Sequence, residues 1–297
     1  MIDYLRLSQL DDVLEMLWAE GPGILMLAGG TDILVRPQPF AGARILLDIS
    51  RVEQLRDIAV DPADDCLVIG AAATHEEVAW HPQVSRRAQL LAQACRLVGS
   101  AQIRNLGTLG GNLGNASPAA DSVPALACLD AEVVLSGRNK QRRLPVLEFF
   151  TGPGSSVRQP DEVISSLRLP RQRGRQVSFF LKAGQRRGMC CSKASVAFRA
   201  RSHSDGRLSG VRVALGAVAP TVVRVPEAEQ VLEGRRIEPR LIDEAAAACS
   251  RAARPIDDIR STAEYRKAVV GALLTDGLFR LGDKMKQRRR PRRRRPR

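Results

Sequence analysis

Two segments with paired glycines most constrain what this chain can fold into: Ala28-Gly29-Gly30-Thr31-Asp32 and, farther along, Thr108-Leu109-Gly110-Gly111-Asn112-Leu113-Gly114-Asn115. A glycine pair reaches backbone conformations closed to other residues and leaves no Cβ in the path of a ligand. Each segment is therefore either a tight turn or a place where amides converge on anionic oxygens. Thr31, Thr108, Asn112 and Asn115 add neutral donors and acceptors suited to a pyrophosphate, a ribityl chain or a ribose. Neither segment is the dinucleotide fingerprint of the doubly wound fold. That motif follows a strand, opens a helix and is answered by an acidic residue about 20 positions on, a frame the string Gly111 to Gly114 lacks.

Hydrophobic spacing places these segments among regular elements. Ser8 is expected to cap a core-facing helix with apolar Leu10, Val13, Leu14, Leu17 and Trp18. Ile24 to Leu27 reads as a buried strand entering the first glycine pair, and Ile45 to Leu47 as another. Beyond Leu55, Cys66 to Gly70 reads as a strand, and Thr74 with Glu77 as a capping box. A histidine beside such a cap, His75, reads as structural, not as a base. Leu90, Leu91, Ala94, Leu97 and Val98 form a helix face ending at Gly99, and Asp121 is placed to cap a helix over Ser122 to Leu129. Glu132 to Ser136 and Arg142 to Pro145 read as a hairpin, Phe150 to Gly154 as a loop and Glu162 to Leu169 as a closing strand. After a polar linker, Pro170 to Gln176, strands at Phe179 to Lys182, Ser195 to Ala200 and Gly210 to Val218 precede helices around Ala228 to Leu232, Pro239 to Arg251 and Thr262 to Leu281. This is the order of a separate α+β unit.

Five strings, in this order, resemble the FAD-binding (medium) subunit of the xanthine dehydrogenase and molybdenum hydroxylase family. They are Leu27 to Asp32, Ile69 to His75, Gln102 to Asn112, Phe150 to Gly154 and Leu215 to Thr221. The resemblance covers residues 1 to about 281. It implies an α+β fold with a two-part FAD-binding domain over residues 1–173, divided near residue 54, and a small α+β C-terminal domain over 176–281. It also implies the cofactor contacts. Leu25, Met26, Leu27, Ala28, Gly29, Gly30, Thr31 and Asp32 with Thr108, Leu109, Gly110, Gly111 and Asn112 would wrap the pyrophosphate, and Asn115 and Asp121 would meet the sugar-like chain. Val98 would pack on the isoalloxazine, Val163 and Ile164 would hold the adenine unless they are ordinary core residues, and Lys182 would send a cation toward the flavin unless it is merely exposed. Met189 to Lys193 departs from the family, and Cys190 and Cys191 are read as inert packing.

The implied activity is electron transfer with no catalytic triad and no metal in this chain. Molybdopterin in a large partner subunit would oxidise a purine, two-iron two-sulfur clusters in a small subunit would carry the electrons, and FAD here would pass hydride to NAD. Carbon monoxide, nicotinate or aldehyde as substrate, with quinone or oxygen as acceptor, is the alternative within the family; a flavin-free scaffold acting through the tail is the alternative outside it. The formal charge of +14 is concentrated at the end, since Lys284 to Arg297 holds ten cations and no acid and leaves +4 for the rest. Residues 282–297, broken by Pro291 and Pro296, are expected to be a solvated, disordered tail, and nucleic acid is not the expected partner. The six cysteines show no metal-binding spacing, no apolar run of about 20 residues suggests a membrane span, and the N-terminus does not read as a secretory signal. A cytoplasmic location is the expectation.

Overall fold

The computed structural model describes residues 2–35, 40, 42–186 and 191–289. Strand β1 (Asp3–Arg6), helix α1 (Leu10–Glu20), β2 (Ile24–Leu27) and β3 (Ile45–Asp48) form a small parallel sheet in the order β1-β3-β2. Val13 and Leu17 of α1 are buried with Leu47, Ile49 and Val52. The residue at the N-cap is Gln9 rather than Ser8, and it makes no side-chain cap bond; Asp11 and Asp12 complement the helix dipole instead. Trp18, one position past the apolar stripe, is exposed beneath the guanidinium of Arg138.

Asp48 fastens this sheet. Its carboxylate accepts hydrogen bonds from Tyr4 Oη at 2.5 Å, Arg6 Nε at 2.8 Å and the Ser50 amide at 2.9 Å. Burial alone would raise its pKa, but the bonds from Ser50, Tyr4 and Arg6 outweigh burial and hold it at about 2. A carboxyl depressed in the folded state contributes stability above its unfolded pKa, and loses it as pH falls through the folded value. Asp48→Asn should therefore lower stability by about 2 kcal/mol at pH 7, with the difference vanishing between roughly pH 5 and pH 2 in denaturant titrations.

The second unit is an antiparallel sheet in the order β4-β5-β10-β6-β7, built from β4 (Ile58–Val60), β5 (Leu67–Gly70), β6 (Glu132–Gly137), β7 (Lys140–Pro145) and β10 (Val163–Leu169), with the short β8 (Phe150–Gly152) and β9 (Ser155–Ser156) beside it. The last of these strands in sequence lies at the sheet's centre, not its edge, because β10 pairs with both β5 and β6. The expected loop at Phe150 is itself a small hairpin, β8 against β9. Six helices intervene between β5 and β6: α2 (His75–Trp80), α3 (Pro82–Arg87), α4 (Gln89–Arg96), α5 (Ala101–Leu106), α6 (Leu109–Gly114) and α7 (Ser122–Cys128). The capping box on α2 forms as expected, with Thr74 N donating to Glu77 Oε2 at 2.7 Å and Glu77 N donating to Thr74 Oγ1 at 3.2 Å.

The C-terminal unit is a four-stranded antiparallel sheet, β11 (Gln176–Ala183), β12 (Ala194–Ser202), β13 (Leu208–Gly216) and β14 (Val223–Arg224), followed by α8 (Pro226–Leu232), α9 (Pro239–Ala252) and α10 (Ala263–Arg289). The sheet's two faces serve different cores. Phe180, Ala197 and Ala214 join the core of the preceding unit, whereas Val196, Phe198 and Val213 face the three helices. Helix α10 continues to Arg289, so helix occupies the first part of the stretch expected to be disordered from residue 282; residues 290–297 lie outside the described residues. Among the described residues no helix is long and apolar enough to cross a membrane, and no cluster of His, Cys, Asp and Glu is arranged to hold a metal.

Candidate functional site

The two glycine segments meet across a cleft of about 760 Å³, within the range of roughly 300–1,000 Å³ usual for cofactor sites. Leu25 and Met26 of β2 and the loop Ala28 to Asp32 form one wall; Thr108, Gly110, Gly111, Asn112 and Asn115 form the opposite one. Val98 follows α4, Val163 and Ile164 open β10, and Asp121 stands at the head of α7, all lining the same space.

The segments play different parts. In the first, Ile49 N closes onto Leu27 O as the strand pairing ends, and the chain turns at Gly30 with φ of +68°. Among the described residues no protein acceptor takes the amides of Gly29, Gly30 or Thr31. A left-handed residue within a run of unpaired amides makes a concavity that suits an anion. In the second segment the amides are already committed: Leu109 N to Ala73 O, Gly110 N to Ala71 O, Gly111 N to Thr108 Oγ1 and Asn112 N to Thr108 O. This segment supplies space instead. A Cβ on Gly111 would meet only Thr108 Oγ1 within 4 Å, at 2.8 Å.

Three expected positions do not line the cleft. Leu27 is spent on pairing β2 with β3. Leu109 is fully buried in the core beneath α6. Lys182 does not line the cleft itself but binds Asp121, which does, donating from Nζ to Asp121 Oδ2 at 2.6 Å and to Leu97 O at 2.7 Å. Asp121 makes no side-chain cap on α7; its other oxygen accepts from Ser192 Oγ at 2.5 Å. Burial raises the pKa of this carboxyl, against the pull of Lys182 and Ser192.

Residues 1–172 match the family described as the FAD binding domain in molybdopterin dehydrogenase, and residues 179–281 match the CO dehydrogenase flavoprotein C-terminal domain. The chain belongs to the molybdopterin-dehydrogenase flavoproteins. Similar proteins include the carbon monoxide dehydrogenase medium chain of Hydrogenophaga pseudoflava, 28% identical over 93% of this chain and 95% of that one. Another is the xanthine dehydrogenase FAD-binding subunit of Escherichia coli O157:H7, 29% identical over 89% and 90%. The solved structure of the H. pseudoflava carbon monoxide dehydrogenase lacking the Mo-pyranopterin moiety superposes with a TM-score of 0.88 at 28% identity, covering 96% of this chain and 98% of that one.

The cleft of this molybdopterin-dehydrogenase flavoprotein fits FAD on its own evidence: unpaired amides on one wall, the bare face of Gly111 among polar side chains opposite, and a polar side chain that is buried without a partner. That side chain is His75, whose Nδ1 has no hydrogen-bond partner. Burial, assisted by the Arg104 guanidinium, lowers its pKa to about 4, so it is neutral near pH 7. Its place in the Ile69 to His75 string was the only sequence signal that it belonged to the site. Arg158, Cys191 and Arg260 also line the flavoprotein's cleft and were not foreseen there. Arg158 Nη1 donates to Glu162 O at 2.7 Å and Arg260 pairs with Asp258 at 2.7 Å, so both guanidinium groups are anchored at the rim. Cys191 is exposed, and Cys190 lies outside the described residues.

Proposed function

We propose that this chain is the electron-transfer subunit of a molybdenum hydroxylase, most specifically of a xanthine dehydrogenase. A large molybdopterin subunit and a small iron–sulfur subunit are its partners. When bound, FAD supplies the chemistry here, collecting electrons singly from two-iron two-sulfur centres and passing them as hydride to NAD. The chain's own task is to bind and orient. The amides of Gly29 to Thr31 would hold the pyrophosphate, the bare face of Gly111 would admit it, and Thr108, Asn112 and Asn115 would meet neighbouring polar groups. Val163 and Ile164 would hold the adenine, and Val98 would pack against the ring system. The observation that carries this reading is the convergence of both glycine segments on one cleft. The purine substrate is supported by the xanthine dehydrogenase relative. The carbon monoxide dehydrogenase relative supports the neighbouring reading, in which carbon monoxide is the substrate.

The test is the visible spectrum of the purified chain before and after anaerobic NADH, run beside Gly111→Val. The wild-type chain should carry FAD and bleach. The variant, whose side chain would stand in the cleft, should lose at least about 90% of its flavin. Flavin that NADH leaves oxidised moves the acceptor to quinone or oxygen. A wild-type chain that takes up no added FAD defeats the proposal.

A further inference from the structure

His75 holds an unusual position for a histidine that begins a capped helix. Its backbone amide donates to Gly107 O at 2.9 Å, immediately before the second glycine segment. A Cβ built on Gly107 would lie 3.1 Å from Thr31 Oγ1 and 3.5 Å from His75 Cδ2, so the imidazole and the threonine of the first glycine segment flank the same backbone atom. The ring therefore stands where the two cofactor walls come together. It is only 2% exposed, lines the cleft and leaves Nδ1 unpaired. A buried polar nitrogen left without a partner is unfavourable, and a helix-capping neighbourhood alone gives no reason to sustain it.

Charge is arranged to keep this imidazole a neutral donor and acceptor. The facing cation is Arg104, whose Nε is engaged by Glu76 Oε2 at 2.7 Å, and Glu77 is taken up by the Thr74 amide and by Arg56. No carboxylate hydrogen-bonds the His75 ring among the described residues. With one N–H and one lone pair, neutral imidazole can donate to a phosphate or hydroxyl oxygen without the desolvation cost of a buried ion.

We infer that His75 is a cofactor-positioning residue, its imidazole hydrogen-bonding the diphosphate region of FAD at the junction of the two glycine segments. The inference rests on the reading of the cleft as the FAD site. Because Thr74 and Glu77 lock the first turn of α2, the ring is presented from a rigid element rather than from a loop. Loss of the hydrogen bond should therefore weaken and loosen the cofactor without unfolding the chain.

The chain has three histidines, His75, His81 and His203, so imidazole nitrogen resonances of the full-length protein can be assigned by single substitution. FAD addition to flavin-stripped protein should move the His75 nitrogens, together with the phosphorus resonances of the bound FAD, and leave His81 and His203 in place. His75→Leu should raise the FAD Kd roughly 3- to 10-fold while the apoprotein melts near the wild-type temperature, and His75→Gln should recover part of the affinity. FAD bound with unmoved His75 resonances and an unchanged Kd in His75→Leu overturns the inference alone. Failure of the wild-type chain to take up FAD overturns the reading of the cleft and the inference together.

Discussion

Gly29→Ala is expected to destabilise the chain by about 3 kcal/mol or more and to yield protein without flavin. The added Cβ would sit 1.9 Å from Leu106 O and 2.6 Å from Leu106 C, both backbone atoms at the end of α5. No rotamer change relieves a collision between one backbone and another, so either the first glycine loop lifts from α5 or α5 shifts. Either movement separates the amides of Gly29 to Thr31 from the opposite wall of the cleft. For a chain of this size the cost corresponds to a fall in Tm of roughly 6–12 °C. Gly152→Ala is the matched control, because a Cβ there meets nothing within 4 Å and its φ is ordinary. Differential scanning calorimetry and flavin content on both variants decide the matter; a Gly29→Ala protein that melts and binds flavin like the wild type would remove this close approach from the account of the site.

The contrast between Gly29 and Gly111 shows where sequence reading succeeds and where it stops. Both pairs are legible as special backbone, and β2, β3 and α4 near them follow from hydrophobic spacing, whereas α5 and α6 do not. What a glycine pair does depends on what packs against it, and that is a tertiary fact: Gly29 is bare so that the end of α5 can touch it and Gly110 so that Ala71 can, whereas a Cβ on Gly111 would meet only the Thr108 hydroxyl. Helix α6 was illegible for a related reason. Its sequence, Leu-Gly-Gly-Asn-Leu-Gly, has poor intrinsic helix propensity, and it is helical because Leu109 and Leu113 are fully buried and Thr108 caps its first turn. Asp121 read as a helix cap because its spacing is right, but a cation 61 residues away in sequence takes the carboxylate instead. Arg158 and Arg260 reach the cleft from separate loops, and no local pattern distinguishes them from other surface arginines.

Replacing that cation should expose how strongly the two units are tied. Lys182, from β11, contacts Leu97 O and Asp121 of the preceding unit, and both side chains of the pair are about nine-tenths buried. In Lys182→Met the Asp121 carboxylate keeps the Ser192 hydroxyl but loses its countercharge, and stranding one member of a buried pair costs about 3–5 kcal/mol. The sign of the pH dependence follows from burial. The Asp121 pKa is already raised by desolvation, and removing Lys182 raises it further. A folded pKa above the unfolded one means that the folded state binds the extra proton, so the variant loses stability as pH rises through that window and recovers it toward acid. The difference between Lys182→Met and wild type should thus be largest near pH 8 and shrink steadily toward pH 5. Adding Asp121→Asn removes the stranded charge while leaving an oxygen for Ser192, and the double variant should regain most of the lost stability with a flat pH response. Urea unfolding of the three proteins at pH 5 and pH 8 separates these outcomes. A single-variant penalty that is the same at both pH values would mean that the Asp121 charge is not what Lys182 holds in place.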